Sequence, residues 1–262
     1  MEAEKHMDIK NQHKEALGSS KTALVTGSSR GIGLAVAEAF SQKGYSVALN
    51  CVNETKKMQE AIDRLKKENP NIIGIQADVS DYDKAVDMFE QVESAFGRPV
   101  DILVNNAGIS HIGLFQDMKR PQWDRILKVN FNSVLNCTHI ALPHMISSKS
   151  GVIINISSIW GRYGASCESV YSASKGAVDA FTRSLGKELA PSGIRVNAIA
   201  CGVIETEMNN MLSPEEKAAL LDGIPSMRFG QPEEVAELAL FLASDKAKYL
   251  TAQVITLDGG FC

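Results

Sequence analysis

The feature that most constrains this chain is a regular alternation of short apolar runs with longer amphipathic stretches. Residues 22–26 form a compact apolar run that ends in glycines. Comparable runs recur at 46–51, 72–77, 101–104, 151–156, 194–200 and 253–257. Between them lie segments of helical periodicity, such as 81–96 and 170–189. Apolar strands alternating with helices predict an α/β fold: a doubly wound, seven-stranded parallel sheet with helices on both faces and right-handed crossovers.

No Pro/Gly/Ser-rich linker and no internal repeat divides the 262 residues, so residues 21–262 are expected to form one domain. Residues 1–20 are polar and charged, without the apolar core of a signal peptide, and read as a flexible extension. No stretch approaches the ~20 apolar residues of a membrane span. A formal net charge of -4 argues against nucleic-acid or anionic-membrane partners. Cys51, Cys137, Cys167, Cys201 and Cys262 are scattered and odd in number, which is neither a disulfide framework nor zinc spacing. A reduced, cytoplasmic setting is the simplest expectation. The five histidines show no metal spacing either, and His111 is either a pocket border or a bystander. Residues 205–228 interrupt the alternation and read as a helical lid, in which Met208 and Met211 cover a site or merely pack.

The first strand runs into Thr26-Gly27-Ser28-Ser29-Arg30-Gly31-Ile32-Gly33 and then a helical run, 34–40. Glycines there allow a tight turn and close approach of a pyrophosphate to the backbone. The following helix N-terminus supplies unpaired N–H groups and a positive dipole end. In this context the turn predicts a Rossmann-type dinucleotide site. An acid ending the second strand would select NAD; Asn50, Cys51 and Val52 stand there instead, and Arg30 can pair with a 2′-phosphate. NADP(H) is therefore the expected cofactor. Glu54 is nearby and reads as part of the next helix start.

Tyr171-Ser-Ala-Ser-Lys175 places a phenol and an ammonium on one helix face. A fixed cation beside a tyrosine favours the phenolate and is expected to pull its pKa down from about 10. Ser157 and Ser158 end the fifth strand, where open α/β sheets bind ligands. The alternative for the Tyr171–Lys175 pair is a solvated helix face.

The glycine spacing from Gly27 to Gly33, with Tyr171 and Lys175 after the fifth strand, resembles the short-chain dehydrogenase/reductase family over nearly all of 21–262. The resemblance implies Ser158, Tyr171, Lys175 and Asn130 as the catalytic set, with Asn130 holding a water that links the lysine to solvent. It implies cofactor contacts at Gly27, Ser29, Arg30, Gly31, Ile32, Gly33, Asp78, Val79, Asn105, Ala107, Gly108, Tyr171, Lys175, Gly202, Ile204 and Thr206. Asp78 has a helix cap as its alternative, and Asn130 a backbone-bonding role. Cys201 stands where the family usually has Pro. The family also implies a homotetramer, built on the long helices after strands four and five and on the last strand.

Within the family the chain is similar to 3-oxoacyl-carrier-protein reductases. Those carry arginines just before the fifth and sixth strands; Val152 and Ser192 stand at those positions, with Lys149 and Lys187 nearby. A narrower resemblance lies in Ser157 to Gly161, Gly164 to Glu168 and Asp258 to Cys262. It is to bacterial reductases that convert a 5-aminopentanone group on elongation factor P to an alcohol. That resemblance implies Trp160 and Glu168 as substrate residues, with Glu168 facing a primary ammonium; its alternative is a helix-start acid favoured by the macrodipole. Oxidation of a hydroxysteroid or sugar alcohol, and a non-catalytic nucleotide sensor on the same fold, remain as other readings.

Overall fold

The computed structural model describes residues 21–53, 55–207 and 213–262. Seven parallel strands form one sheet: β1 (Thr22–Val25), β2 (Ser46–Cys51), β3 (Ile72–Gln76), β4 (Ile102–Asn105), β5 (Gly151–Ser158), β6 (Ile194–Cys201) and β7 (Val254–Leu257). Their spatial order is β3-β2-β1-β4-β5-β6-β7. The order reverses between β1 and β4, which pair through Ala23–Ile102, Leu24–Leu103 and Val25–Val104. Chain segments leaving these two strands diverge, and a crevice opens beyond their carboxyl ends.

The central strands are buried on both faces, which explains their unbroken apolar runs. One face is covered by α1 (Gly31–Gln42), α2 (Thr55–Leu65) and α9 (Pro232–Ala243). Their Val36, Phe40, Met58, Ile62, Val235 and Leu242 pack on Val25, Leu49, Ile102 and Ile154. The other face carries α3 (Tyr82–Phe96), α5 (Ser133–Ser148) and α7 (Ser169–Leu189). From these, Met88, Cys137, Met145 and Leu185 pack on Leu24, Leu103, Ile153 and Val196. Alternate residues of each strand thus feed two cores, as the pleat requires.

Local signals set the helix ends. Asp81 caps α3 by accepting from the Lys84 N–H at 3.3 Å, and Gly97 closes it in the left-handed region at φ 68°. In the 205–228 region, α8 (Pro214–Asp222) begins at Ser213, which forms a capping box with Glu216. Ile204 bridges to Gly230 at the base of this segment. Two shorter helical pieces matter for the site: α4 (Arg120–Leu127), followed by a π-helical turn (Lys128–Asn132), and α6 (Trp160–Tyr163). Glu54, Met208, Met211 and residues 1–20 lie outside the described residues. Among the described residues, no helix is long and apolar enough to cross a membrane, and no His/Cys/Asp/Glu cluster could hold a metal ion.

Candidate active site

A cleft of about 1790 Å³ runs along the carboxyl ends of the strands, from residues 50–53 at the end of β2 to Trp160 after β5. That is larger than the roughly 300–1,000 Å³ typical of one small-molecule pocket, so it has room for a dinucleotide and a second reactant.

At one end the glycine-rich turn is wired into the sheet. Asn106 Nδ2 donates to the Thr26 and Gly27 carbonyls, both at 2.9 Å. Thr26 Oγ1 accepts from the Asn106 and Ala107 N–H groups. Asn50 Oδ1 accepts from Gly27 N–H, and Asn50 Nδ2 donates to the Ile75 and Ala77 carbonyls. Gly27 and Gly31 both sit at positive φ, 62° and 55°. A Cβ on Gly27 would lie 2.9 Å from Ala107 Cα, so the turn and the β4 segment touch backbone to backbone. The result is a cradle of main chain at the start of α1, where N–H groups converge. The residues present therefore fit a pyrophosphate.

The expected cofactor-contact positions fall into two groups. Gly27, Ser29, Arg30, Gly31, Ile32, Asp78, Val79, Ala107, Gly108, Gly202, Ile204 and Thr206 all line the cleft. Asn105 does not. Its Nδ2 donates to Asn155 Oδ1 at 2.9 Å and to Thr138 Oγ1, inside the sheet and its covering layer. Residues 105 and 106 point to opposite sides, and Asn106 is the one at the turn. Gly33 is likewise off the cleft wall; it is small because α1 passes against Gly27 and Asn106. Gly202 lines the cleft, yet a Cβ there would strike Asp258 Cα at 2.7 Å, so packing alone demands the glycine. Thr206 stands over Gly31, its Cγ2 3.5 Å from where a Cβ would be. Asp78 does not cap α3, a task Asp81 performs. Burial alone would raise the Asp78 carboxyl, but hydrogen bonds from Ser80 Oγ and N–H outweigh it and hold the pKa low.

At the other end, Ser158, Tyr171, Lys175 and Asn130 converge. Ser158 Oγ accepts from Trp160 N–H at 3.2 Å, and a side-chain hydrogen bond joins Ser158 to Tyr171. Lys175 Nζ donates to the Ile156 carbonyl at 2.8 Å and lies 5.8 Å from the centre of the Tyr171 ring. Gly108 sits between Asn130 Oδ1 and Lys175 Nζ, each 3.6 Å from its would-be Cβ. Asn130 lies in the π-helical turn, fully buried. Its Oδ1 accepts from Ile109 N–H, and its Nδ2 donates to the Ile109 carbonyl and to Ser174 Oγ. Its backbone-bonding role is thus real, and one acceptor lone pair remains on Oδ1. Ser157 also borders the cleft, and its Oγ donates to the Lys175 carbonyl at 3.4 Å.

The electrostatics depart from the expected sense for the tyrosine. Burial raises the Tyr171 pKa; the bond from Ser158 opposes this, while Glu168 and Cys201 add to it. Lys175 Nζ is drawn to the Ile156 carbonyl rather than to the phenol, and burial lowers the Lys175 pKa to about 8. The amine therefore binds fewer protons folded than unfolded from about pH 8 up to its ordinary value of 10.5. In that window the lysine's contribution to stability improves as pH rises; below it the full cost of burying the ammonium is present. The Tm difference between Lys175→Met and wild type is expected to move by about 5 °C in favour of wild type from pH 7.5 to 10. A pH-independent difference in calorimetric scans would refute the depressed pKa.

Trp160 and Glu168 both border the cleft. Glu168 occupies the N-cap position of α7, but its side chain makes no cap bond; its carboxylate accepts from Ser110 Oγ instead. His111 is not part of the cleft wall. Val152 is the second residue of β5 and 5% exposed, so it cannot serve as a docking position. Sequence reasoning missed Asn106, Ser110 and the α4 side of the mouth, where Arg120, Asp124, Arg125 and Lys128 stand. Asn50 carried a usable signal, being a polar residue inside an apolar strand.

A family model described as short chain dehydrogenase matches residues 21–217. The chain belongs to the short-chain dehydrogenase family. It is therefore an oxidoreductase acting on CH–OH or carbonyl groups. This short-chain dehydrogenase is 43% identical over 241 residues to the 3-oxoacyl-acyl-carrier-protein reductase FabG of Staphylococcus aureus, covering 92% of this chain and 98% of that one. Among solved structures, a 3-oxoacyl-acyl-carrier-protein reductase of Brucella melitensis with bound NAD superposes with a TM-score of 0.86 at 32% identity, covering 94% of this chain and 93% of that one. A putative gluconate dehydrogenase of Agrobacterium tumefaciens gives 0.88 at 32% identity, with 94% and 96% covered.

Proposed function

We propose that the protein reduces a ketone on a carrier-bound substrate to an alcohol, with NADPH as donor and Tyr171 as proton donor. The observation that carries this reading is the meeting of Tyr171, Ser158 and Lys175 at one end of a cleft whose other end is a pyrophosphate cradle. Bound in the cleft, the reduced nicotinamide supplies a hydride to the carbonyl carbon.

The chain's own residues do the rest. Trp160 N–H occupies a lone pair of Ser158 Oγ, so the serine's own proton, which here faces Tyr171, can turn to the reacting oxygen. Tyr171 Oη, with its pKa raised by burial, holds its proton until negative charge develops beside it. Lys175, held by the Ile156 carbonyl, keeps two further N–H donors when protonated, which would serve the ribose of a bound nucleotide and the region of the phenol. Asn130 fixes the 108–110 backbone, and its spare lone pair is the place for a relay water behind Lys175. The 2′-phosphate preference rests on Arg30 in the turn and on the absence of an acid among residues 50–53.

The relatives favour a 3-oxoacyl thioester on acyl carrier protein as the substrate. A second reading, the 5-aminopentanone group on elongation factor P, is favoured by Glu168. Its carboxylate lies on the cleft wall, close enough to raise the Tyr171 pKa, and is not spent on capping α7. An acid there suits a substrate ammonium near the reacting ketone. The same reading takes the protein as a cytoplasmic homotetramer formed through α5, α7 and the edge strand β7.

Absorbance at 340 nm tests both readings. The protein is incubated with NADPH or NADH and with acetoacetyl thioester, aminopentanone-modified elongation factor P, or a panel of steroid and sugar alcohols in the reverse direction. NADPH is expected to give the higher kcat/KM. If elongation factor P is the substrate, Glu168→Gln lowers its kcat/KM by about tenfold or more and leaves the thioester unchanged. Turnover on the thioester alone removes the second reading, and nucleotide binding without turnover on any substrate supports a sensor.

A further inference from the structure

At the β2 end of the cleft, three charged side chains from distant segments meet. Lys57 Nζ donates to both carboxylate oxygens of Glu207, at 2.9 and 3.0 Å. Arg30 Nη1 donates to Glu207 Oε2 at 3.2 Å. Oε2 is therefore shared between two cations. Arg30 belongs to the glycine-rich turn, Lys57 is the third residue of α2, and Glu207 ends the described stretch that leaves β6.

We propose that Lys57 is a second determinant of nucleotide choice, holding the 2′-phosphate together with Arg30, and that Glu207 competes with that phosphate for the two cations. The proposal rests on the NADPH reading above. Dinucleotide sites of this topology receive the adenosine ribose beside the end of β2. That is where Cys51, Val52 and Asn53 border the cleft and where α2 begins two residues on. A carboxylate oxygen and a phosphate oxygen ask for the same donors in the same geometry. The carboxylate therefore marks a place already built for an anion, with one guanidinium and one ammonium aimed at it.

Charge decides the competition. All three side chains are about half exposed, at 51%, 43% and 48% for Arg30, Lys57 and Glu207. Ion pairs of that exposure are screened and contribute little, so exchanging one anion for another costs little. A phosphate monoester carries between one and two negative charges at neutral pH against one for Glu207. Lys57 and Arg30 therefore turn to the phosphate once the nucleotide is held by the glycine-rich turn. NAD(H), with a neutral 2′-hydroxyl, leaves them on Glu207.

Isothermal titration of the full chain with 2′,5′-ADP and with 5′-AMP reads this directly and needs no turnover. Wild type is expected to bind 2′,5′-ADP more tightly than 5′-AMP. Lys57→Met should weaken 2′,5′-ADP by about tenfold, with 5′-AMP within about twofold and Lys57→Arg close to wild type. Glu207→Gln should tighten 2′,5′-ADP by about threefold and leave 5′-AMP unchanged. If wild type shows no preference for 2′,5′-ADP, the NADPH reading itself fails and this proposal with it. If the preference is present but survives Lys57→Met intact, Lys57 has no such role while the NADPH reading stands. Weaker 2′,5′-ADP binding by Glu207→Gln would overturn the competition.

Discussion

Replacing Tyr171 by Phe is expected to lower kcat for ketone reduction by about a thousandfold or more, with dinucleotide affinity within about twofold of wild type. The substitution removes one oxygen from a ring that keeps its packing. It takes away the hydroxyl that faces Ser158, on a ring whose centre lies 5.8 Å from Lys175 Nζ. No other side chain among Ser158, Asn130 and Lys175 substitutes for it. Ser158 is a far weaker acid, Asn130 spends both amide protons on Ile109 and Ser174, and Lys175 is anchored to the Ile156 carbonyl. Because Ser158 and Tyr171 act on the same oxygen, the Ser158→Ala/Tyr171→Phe pair should be little worse than Tyr171→Phe alone. Single-turnover kinetics with saturating nucleotide checks both statements. A Tyr171→Phe enzyme within tenfold of wild type would remove the tyrosine from the reaction.

Replacing Gly33 by Ala is expected to cost both stability and nucleotide binding. A Cβ there would lie 2.4 Å from Asn106 Nδ2, 2.5 Å from the Gly27 carbonyl oxygen and 2.9 Å from Ser28 Cα. Two of those three are backbone atoms, and Asn106 is held by two hydrogen bonds to the turn. None can yield without moving α1 off the turn. Overpacking of this kind costs roughly 1–3 kcal/mol, which for a domain of this size is about 3–10 °C in Tm. Displacing α1 also pulls its N-terminal N–H groups from the cradle, so dinucleotide affinity should fall by about a hundredfold. Gly108→Ala is the stability control, since its Cβ would meet nothing closer than 3.6 Å and Tm should change by about 2 °C or less. Calorimetry and nucleotide titration of the two variants decide the matter. An unchanged Tm and affinity for Gly33→Ala would show that α1 is not pressed on the turn.

The family-level architecture was legible because its signals are local and repeated. Each strand shows as a short apolar run, since both faces of a parallel sheet are covered, and the seven runs end within one residue of the observed strands, apart from two extra residues at the end of β5. The Tyr171–Lys175 spacing was readable because i and i+4 share a helix face whatever surrounds the helix. Ser158 was readable because strand ends in such sheets meet ligands.

What stayed hidden depended on which way side chains turn and on what lies across the cleft. Asn105 and Asn106 are identical neighbours; only the pleat decides that 105 bonds Asn155 and 106 rivets the turn. The Tyr171 pKa could be argued down from a nearby lysine, but burial and the Ile156 carbonyl reverse that balance. Glu168 stands at the start of α7, as a helix-start acid would, and only the fold brings Ser110, 58 positions away, against its carboxylate. Lys57 and Glu207 stand 150 positions apart and meet only because β2 and the segment after β6 reach the same end of the cleft. Periodicity and spacing are properties of one element and survive in the sequence. Desolvation, hydrogen-bond partners and charge pairs are properties of elements brought together, so the alternation and the Tyr171–Lys175 spacing came from the chain alone, while the state of that tyrosine and the partners of Arg30 came from the fold.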